Sequence, residues 1–178
     1  FTVVPSRAEE VGAGGDARML AERNAKAKVE GACLPEGLEP GTFVLGTDTL
    51  VTVGGAVMGK PASAAEAAGM LASLSGRTHQ VVSAVALFRT QRADGRSGAP
   101  GGELRVASAV TDVTFLPLEP PRIDAYLASG EWKGKAGGYA IQGLAGLFVS
   151  HVHGEYSNVV GLPLCLLACM FRESGFDL

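Results

Sequence analysis

The stretch TFVLGTDTLVTVGGAVMGKP, residues 42–61, decides the fold. Phe43, Val44 and Leu45 are apolar in succession, so the segment reads as a strand covered on both faces. The polar run Gly46-Thr47-Asp48-Thr49 interrupts it, and Leu50 to Val53 resumes it. Gly54-Gly55 is a hairpin signal. Ala56 to Met58 is the return strand, and it delivers Gly59-Lys60-Pro61.

Downstream, Ser63-Ala64-Ala65-Glu66 is a capping box. Ala67, Met70, Leu71 and Leu74 then give one apolar helix face before Gly76 stops it. Gln80 to Phe88 is a second strand apolar on both faces, and Leu104 to Phe115 has the weaker alternation of an edge strand. The glycine-rich stretch 90–103 between them reads as a solvated loop. Pro120 to Ser129 is a short helix, and Leu147 to His153 is a strand. Gly161 to Phe171 is an apolar helix with Pro163 in its first turn. Upstream, Phe1 to Val4 reads as a strand, and Gly12, Gly14 and Gly15 form a break. Asp16 caps a helix that runs to Val29, with an inward stripe of Ala17, Leu20, Ala21, Asn24 and Ala27. No repeat or linker divides residues 1–178, so one α/β domain with a mixed sheet and flanking helices is expected.

Apolar residues make up 47% of the chain and charged residues 19%, a globular balance. The net charge of -3 argues against a broad surface for nucleic acid. An anionic ligand must then be met by a few placed cations, which favours a small nucleotide over a polymer. Three cysteines are too few for a disulfide framework. Cys165 and Cys169, one helical turn apart, are expected as buried packing thiols. No apolar run has transmembrane length and the start is not a signal peptide, so no membrane partner and a cytoplasmic setting are expected.

Asp48 is the most informative residue. A carboxylate inside a doubly buried strand must be paired, hydrogen-bonded or facing a cleft; capping a turn is the plain alternative. Lys60 arrives at the far end of the same hairpin, just before a capped helix; a lysine before a proline is usually just a surface charge, but an acid and a lysine across one two-stranded ribbon suggest a site for a metal-bound phosphate. A second cluster, KGKAGGYAIQG at 133–143, offers Lys135 to phosphate and Gln142 to a base edge. The imide of uracil or thymine would complement that amide, although Gln142 bonding backbone in an ordinary turn fits the pattern too. No GxxxxGK[ST] run is present. His151, His153 and Glu155 alternate as a metal triad or a polar strand face would. Ser157 and Asn158 read as helix-capping residues.

The runs GTDTLV (46–51), GKPASAAEAAGMLASLSGRTHQVVSAVAL (59–87) and KAGGYAIQGLAGLFVSHVHGEYSNVVGLPL (135–164) together resemble the Maf family of nucleotide pyrophosphatases. The resemblance runs in order from Phe1 to Phe171, with 90–103 as an insertion. It implies a mixed sheet with flanking helices in two lobes around a cleft, and a homodimer. It also implies hydrolysis of a nucleoside triphosphate with a divalent metal, Mg2+ or Mn2+. By position, Asp48 would be the acid-base residue, with Glu10 a second carboxylate near metal or water. Lys60 and Lys135 would meet the phosphates. Thr49 and Gln142 look like the branch acting on dTTP and UTP.

Two departures stand out. The family opens with a strand and a serine-rich phosphate loop ahead of the position of Phe1, and no match to them is expected here. Asn24 also stands where the family has a lysine; Lys26 points away from the inward stripe, and Lys28, one turn on, would restore the charge. A non-catalytic, division-linked nucleotide sensor is the rival reading, and a pyrophosphatase for purine or modified nucleotides is a third.

Overall fold

A computed structural model describes residues 1–11, 15–91 and 101–176. The glycine break at 12–14 and most of the loop at 90–103 lie outside the described residues. Among the described residues five strands form one sheet: β1 Phe43–Val53, β2 Ala56–Met58, β3 Thr78–Thr90, β4 Gly102–Phe115 and β5 Val149–His153, in the order β2-β1-β3-β4-β5. The helices are α1 Ala17–Glu30, α2 Ala64–Leu74, α3 Pro120–Ser129, α4 Tyr156–Val160 and α5 Leu164–Glu173. Short 3-10 turns occupy Ala136–Gly138 and Leu144–Phe148.

The α/β class with a helix-flanked sheet is as expected, but among the described residues each adjacent pair of strands is antiparallel. The α2 connection carries the chain over β1, so β2 and β3 run the same way on either side of it. A strand–helix–strand pattern in sequence does not say whether the two strands will be neighbours.

Alternation along the strands sorts the core into two faces. Leu20, Ala21, Ala25 and Val29 of α1 pack on Val44, Leu50, Val82, Ala84 and Ala86. On the opposite face Val51, Val53, Val81, Val113 and Phe115 meet Leu71, Leu74, Ile123, Tyr126, Tyr139 and Phe148. Leu167 and Met170 of α5 cover Val85 and Leu87 farther along. Asp16 caps α1 through the amides of Arg18 and Met19, and Ser63 caps α2 through Glu66.

Several expectations change. Phe1 to Val4 is not a strand: apolar side chains alone do not make one without a partner, and only the single bridge Ser6–Ala32 follows. The segment is tied instead to the end of α1, by Cys33 donating to Pro5 and Arg7 to Gly31. The helix expected at 161–171 starts later, as α5 at Leu164, and a separate short helix, α4, precedes it. Gly161 ends α4, and Pro163, which has no N–H to continue a helix, precedes α5. Cys165 and Cys169 are exposed, because α5 buries the stripe of Leu167 and Met170. Asn158 is not a cap. It is fully buried and donates to the Val81 carbonyl (2.9 Å) and to Thr111 Oγ1 (3.0 Å), locking α4 to the sheet. Among the described residues, no helix is long and apolar enough to cross a membrane.

His79 sits in the core, its Nε2 2.8 Å from the Tyr139 hydroxyl and its ring edge-on to Phe115. Burial pushes its pKa down to about 4 from 6.5. The folded state thus holds a neutral imidazole that the unfolded chain protonates first. Its contribution is whole above pH 6.5 and is lost as pH falls toward 4, about 3 kcal/mol in all. Urea unfolding across that window is expected to show this decline in the wild-type protein and a flatter profile in His79→Gln. Parallel profiles would rule the assignment out.

Candidate active site

The site forms where the sheet leaves an edge open. β2 pairs only with Val51–Val53 of β1. From Phe43 to Leu50 that side of β1 has no strand partner among the described residues. Side chains from both faces of β1 therefore reach one hollow, Asp48 from the α1 face and Thr49 from the other. Helix α1 closes on this edge because residue 46 is glycine. A Cβ there would lie 2.7 Å from the Ala25 carbonyl oxygen and 2.8 Å from Val29 Cγ2.

That approach brings Lys28 onto β1. Its Nζ donates to the edge carbonyl of Thr47 (2.8 Å) and to Asp48 Oδ1 (2.7 Å), and pairs with Glu10 Oε1 (2.9 Å). Lys60 Nζ grips both oxygens of Glu10, at 2.8 and 2.7 Å. Asp48, only 4% exposed, is completed by Asn24, whose Nδ2 donates to Oδ2 at 2.9 Å. The charges shape one another. Burial acts to raise the Glu10 pKa, but Lys28 and Lys60 outweigh it and the net shift is downward. Burial likewise opposes the charge on Lys28, and Asp48 and Glu10 carry its pKa upward overall.

The opposite wall is the segment around 134–142. Gly137, at φ 68°, lies so close to Val51 that a Cβ would sit 2.9 Å from it, which seats this segment on β1. Lys135, Tyr139 and Gln142 line a cavity of about 230 Å³ together with Lys28, Asp48, Thr49 and Lys60. Lys135 makes no ion pair among the described residues. A second hollow, about 530 Å³, adjoins it and is lined by Glu10, Asn24 and Glu66, with Thr49 and Lys60 bordering both.

All seven candidate residues thus converge: Glu10, Lys28, Asp48, Thr49, Lys60, Lys135 and Gln142. The histidine row does not form a triad. His151 and His153 are exposed on β5, while Glu155 turns to the Ser157 hydroxyl and the Cys165 amide. No group of three His, Cys, Asp or Glu side chains able to hold a metal gathers among the described residues. Asn24, first noted as a missing lysine, is a clamp. It exchanges two hydrogen bonds with the Val11 backbone and so sets Glu10 beside β1. Ser83, unremarked in its apolar run, bonds Thr49 at 2.8 Å.

The family model described as Maf-like protein matches residues 1–174. The chain belongs to the Maf-like family. A relative from Chelativorans sp. (strain BNC1) is 44% identical over 162 residues, 89% of this chain and 73% of its own, and is named dTTP/UTP pyrophosphatase. One from Moorella thermoacetica with the same name is 44% identical over 180 residues, 99% of this chain and 86% of its own. A third, from Mesorhizobium japonicum, is 43% identical over 164 residues, with 90% and 74% covered, and shares the name. In this Maf-like chain the asparagine at 24 and the lysine at 28 together meet the aspartate at 48.

The Lys28 ammonium is what makes a buried Asp48 tolerable. Lys28→Met is expected to destabilise the protein by about 2–3 kcal/mol in urea, below the full cost of a buried broken pair because Lys28 is partly exposed. In an Asp48→Asn background the same change is expected to cost under about 1 kcal/mol. Equal losses in both backgrounds would disprove the coupling. The sign with pH follows from the shifts. Glu10 contributes above pH 4.5 and fades as pH falls below it; Lys28 contributes below pH 10.5 and fades as pH rises beyond it.

Proposed function

We propose that this chain hydrolyses dTTP and UTP to the monophosphate and pyrophosphate. The observation that carries the reading is the joining of two carboxylates and several ammonium groups to a neutral, hydrogen-bonding end within one cleft. The name shared by relatives at 43–44% identity over most of the chain supports the same substrates. The triphosphate would lie along Lys28, Lys60 and Lys135, and the base against Thr49 and Gln142.

Asp48 and Glu10 already share one cation, the ammonium of Lys28. Two hard carboxylate donors with substrate phosphates and water completing the shell suit Mg2+ or Mn2+. Asp48 and Glu10 would hold such an ion, which when bound supplies neutralisation of the triphosphate charge. Asp48 orients the attacking water and takes its proton as the water oxygen bonds to the α-phosphorus. The bond from the α-phosphorus to the bridging oxygen breaks, and pyrophosphate leaves with that oxygen. Lys60 and Lys135 meet the charge that grows on it. Lys60 is nearly half exposed and can exchange Glu10 for phosphate. A homodimer in the cytoplasm belongs to the proposal. Leu144, Leu147, Val152, Tyr156 and Leu164 are exposed apolar side chains that a second copy would cover.

In the full-length protein with magnesium or manganese, Asp48→Asn is expected to lower kcat on dTTP and UTP about a thousandfold. Because the Asn24 amide would then face a donor, about 1–2 kcal/mol of stability should go as well, with near-UV circular dichroism intact. Pyrophosphate release at wild-type rates by that variant would refute the role of Asp48. Tight nucleotide binding by wild-type protein without pyrophosphate release would replace the hydrolase with a nucleotide sensor.

A further inference from the structure

Thr49 and Ser83 stand opposite each other in the β1–β3 ladder, and their hydroxyl oxygens are 2.8 Å apart. Ser83 is fully buried, and its Oγ also lies 2.7 Å from the backbone carbonyl of Asn158. A serine hydroxyl carries one proton, and a carbonyl oxygen only accepts. Ser83 therefore donates to Asn158, and Thr49 must donate its own proton to Ser83. What Thr49 turns toward the cavity is lone pairs alone.

The anchor at the end of this relay is firm. Asn158 is held by Val81 and Thr111, and its carbonyl also accepts from the Gly161 amide at 3.1 Å. The other polar group at the base end is different. Gln142 is exposed and makes no hydrogen bond among the described residues. Its amide can turn over, presenting donor and acceptor in either order. A uracil or thymine edge offers an N3–H donor beside an O4 acceptor; a cytosine edge offers an N3 acceptor beside an amino donor. A freely turning amide matches both, so it does not separate them. A fixed acceptor does.

We infer that Ser83 is a specificity-setting positioning residue, holding Thr49 as an acceptor for the imide N–H of a uracil or thymine nucleotide. This rests on the pyrimidine nucleotide reading above and adds the group that chooses among pyrimidines. Without Ser83 the Thr49 hydroxyl rotates freely and serves a cytosine N3 as well as a uracil N3–H. The preference for uracil is then lost while the site keeps its shape.

The test compares wild-type protein, Ser83→Ala, Thr49→Val and the double variant. The readouts are kcat/KM for UTP and CTP, and calorimetric binding of their non-hydrolysable α,β-methylene analogues. Ser83→Ala is expected to lower the UTP-to-CTP ratio about tenfold, the size of one misplaced hydrogen bond in a buried site. Thr49→Val should lower it similarly, and the double variant no further than Thr49→Val. A wild-type ratio in Ser83→Ala overturns the inference, as does an equal further loss when it is added to Thr49→Val, which would mark Ser83 as merely structural. If Ser83→Ala loses its near-UV signature, Thr49→Ser must keep the ratio and Thr49→Val must lose it; a Thr49→Val protein with the wild-type ratio then overturns the relay. Analogue preference without pyrophosphate release removes the hydrolase reading and leaves the relay standing. Hydrolysis of UTP with an unmoved ratio does the reverse, and wild-type protein that fails to bind the UTP analogue overturns both.

Discussion

One ammonium group organises the molecule's working end. The Nζ of Lys28 meets Asp48, Glu10 and the Thr47 carbonyl at once, between 2.7 and 2.9 Å. A carboxylate as buried as Asp48 would be untenable alone in the interior. The ammonium has to come from α1, and α1 reaches it only because Gly46 admits the helix backbone against β1. The neutral packing of Leu20, Ala21, Ala25 and Val29 on the sheet then holds the helix at that distance. The apolar face and the charged cluster are thus two consequences of one close approach.

The brevity of β2 matters for the same reason. Had it continued past Met58 along β1, the Thr47 carbonyl would take a ladder partner and Lys28 would lose an acceptor. The open edge also lets neighbouring residues on opposite faces, Asp48 and Thr49, border one cavity. A closed sheet separates them by its full thickness. An unpaired edge is a liability in most folds, and here charged side chains occupy it.

The parts legible in sequence were those with strong local periodicity. β1, its glycine hairpin, the capped α1 and α2 and the doubly apolar β3 stand close to where their patterns placed them. Asp48 was visible because it breaks an apolar run, and Lys60 because the hairpin turns it back beside that break. The rest depended on information no window contains. Ser83 looks like a tolerated polar residue in an apolar strand until the register sets it opposite Thr49. Asn158 resembles a cap because its sequence neighbours are helix-end residues, whereas its partners Val81 and Thr111 are far away along the chain. Cys165 and Cys169 lie in an apolar segment, yet which face of α5 is covered is decided by Val85 and Leu87. The Asn24 clamp was hidden similarly, since the comparison of one residue type with another said only that a charge had gone.

The two ends of the cleft are built on different principles, and the difference fits the tasks proposed for them. At the Lys60 end the groups are charged, and at least Lys60 is substantially exposed while paired with Glu10. Such pairs exchange partners at little net expense, because a solvent-screened ion pair is worth little by itself. A ligand that brings its own charge can therefore replace one carboxylate contact without stripping the cluster of compensation. At the other end the relay from a half-buried Thr49 through the buried Ser83 to Asn158 is neutral and tied to backbone. Leaving any member unpaired there costs more than an exposed contact does, so the hydroxyl orientation is held. Tolerance for charge rearrangement on one side and a fixed donor–acceptor direction on the other are what the proposed reading requires of a single cleft that grips a mobile polyanion and discriminates among flat bases of nearly equal size.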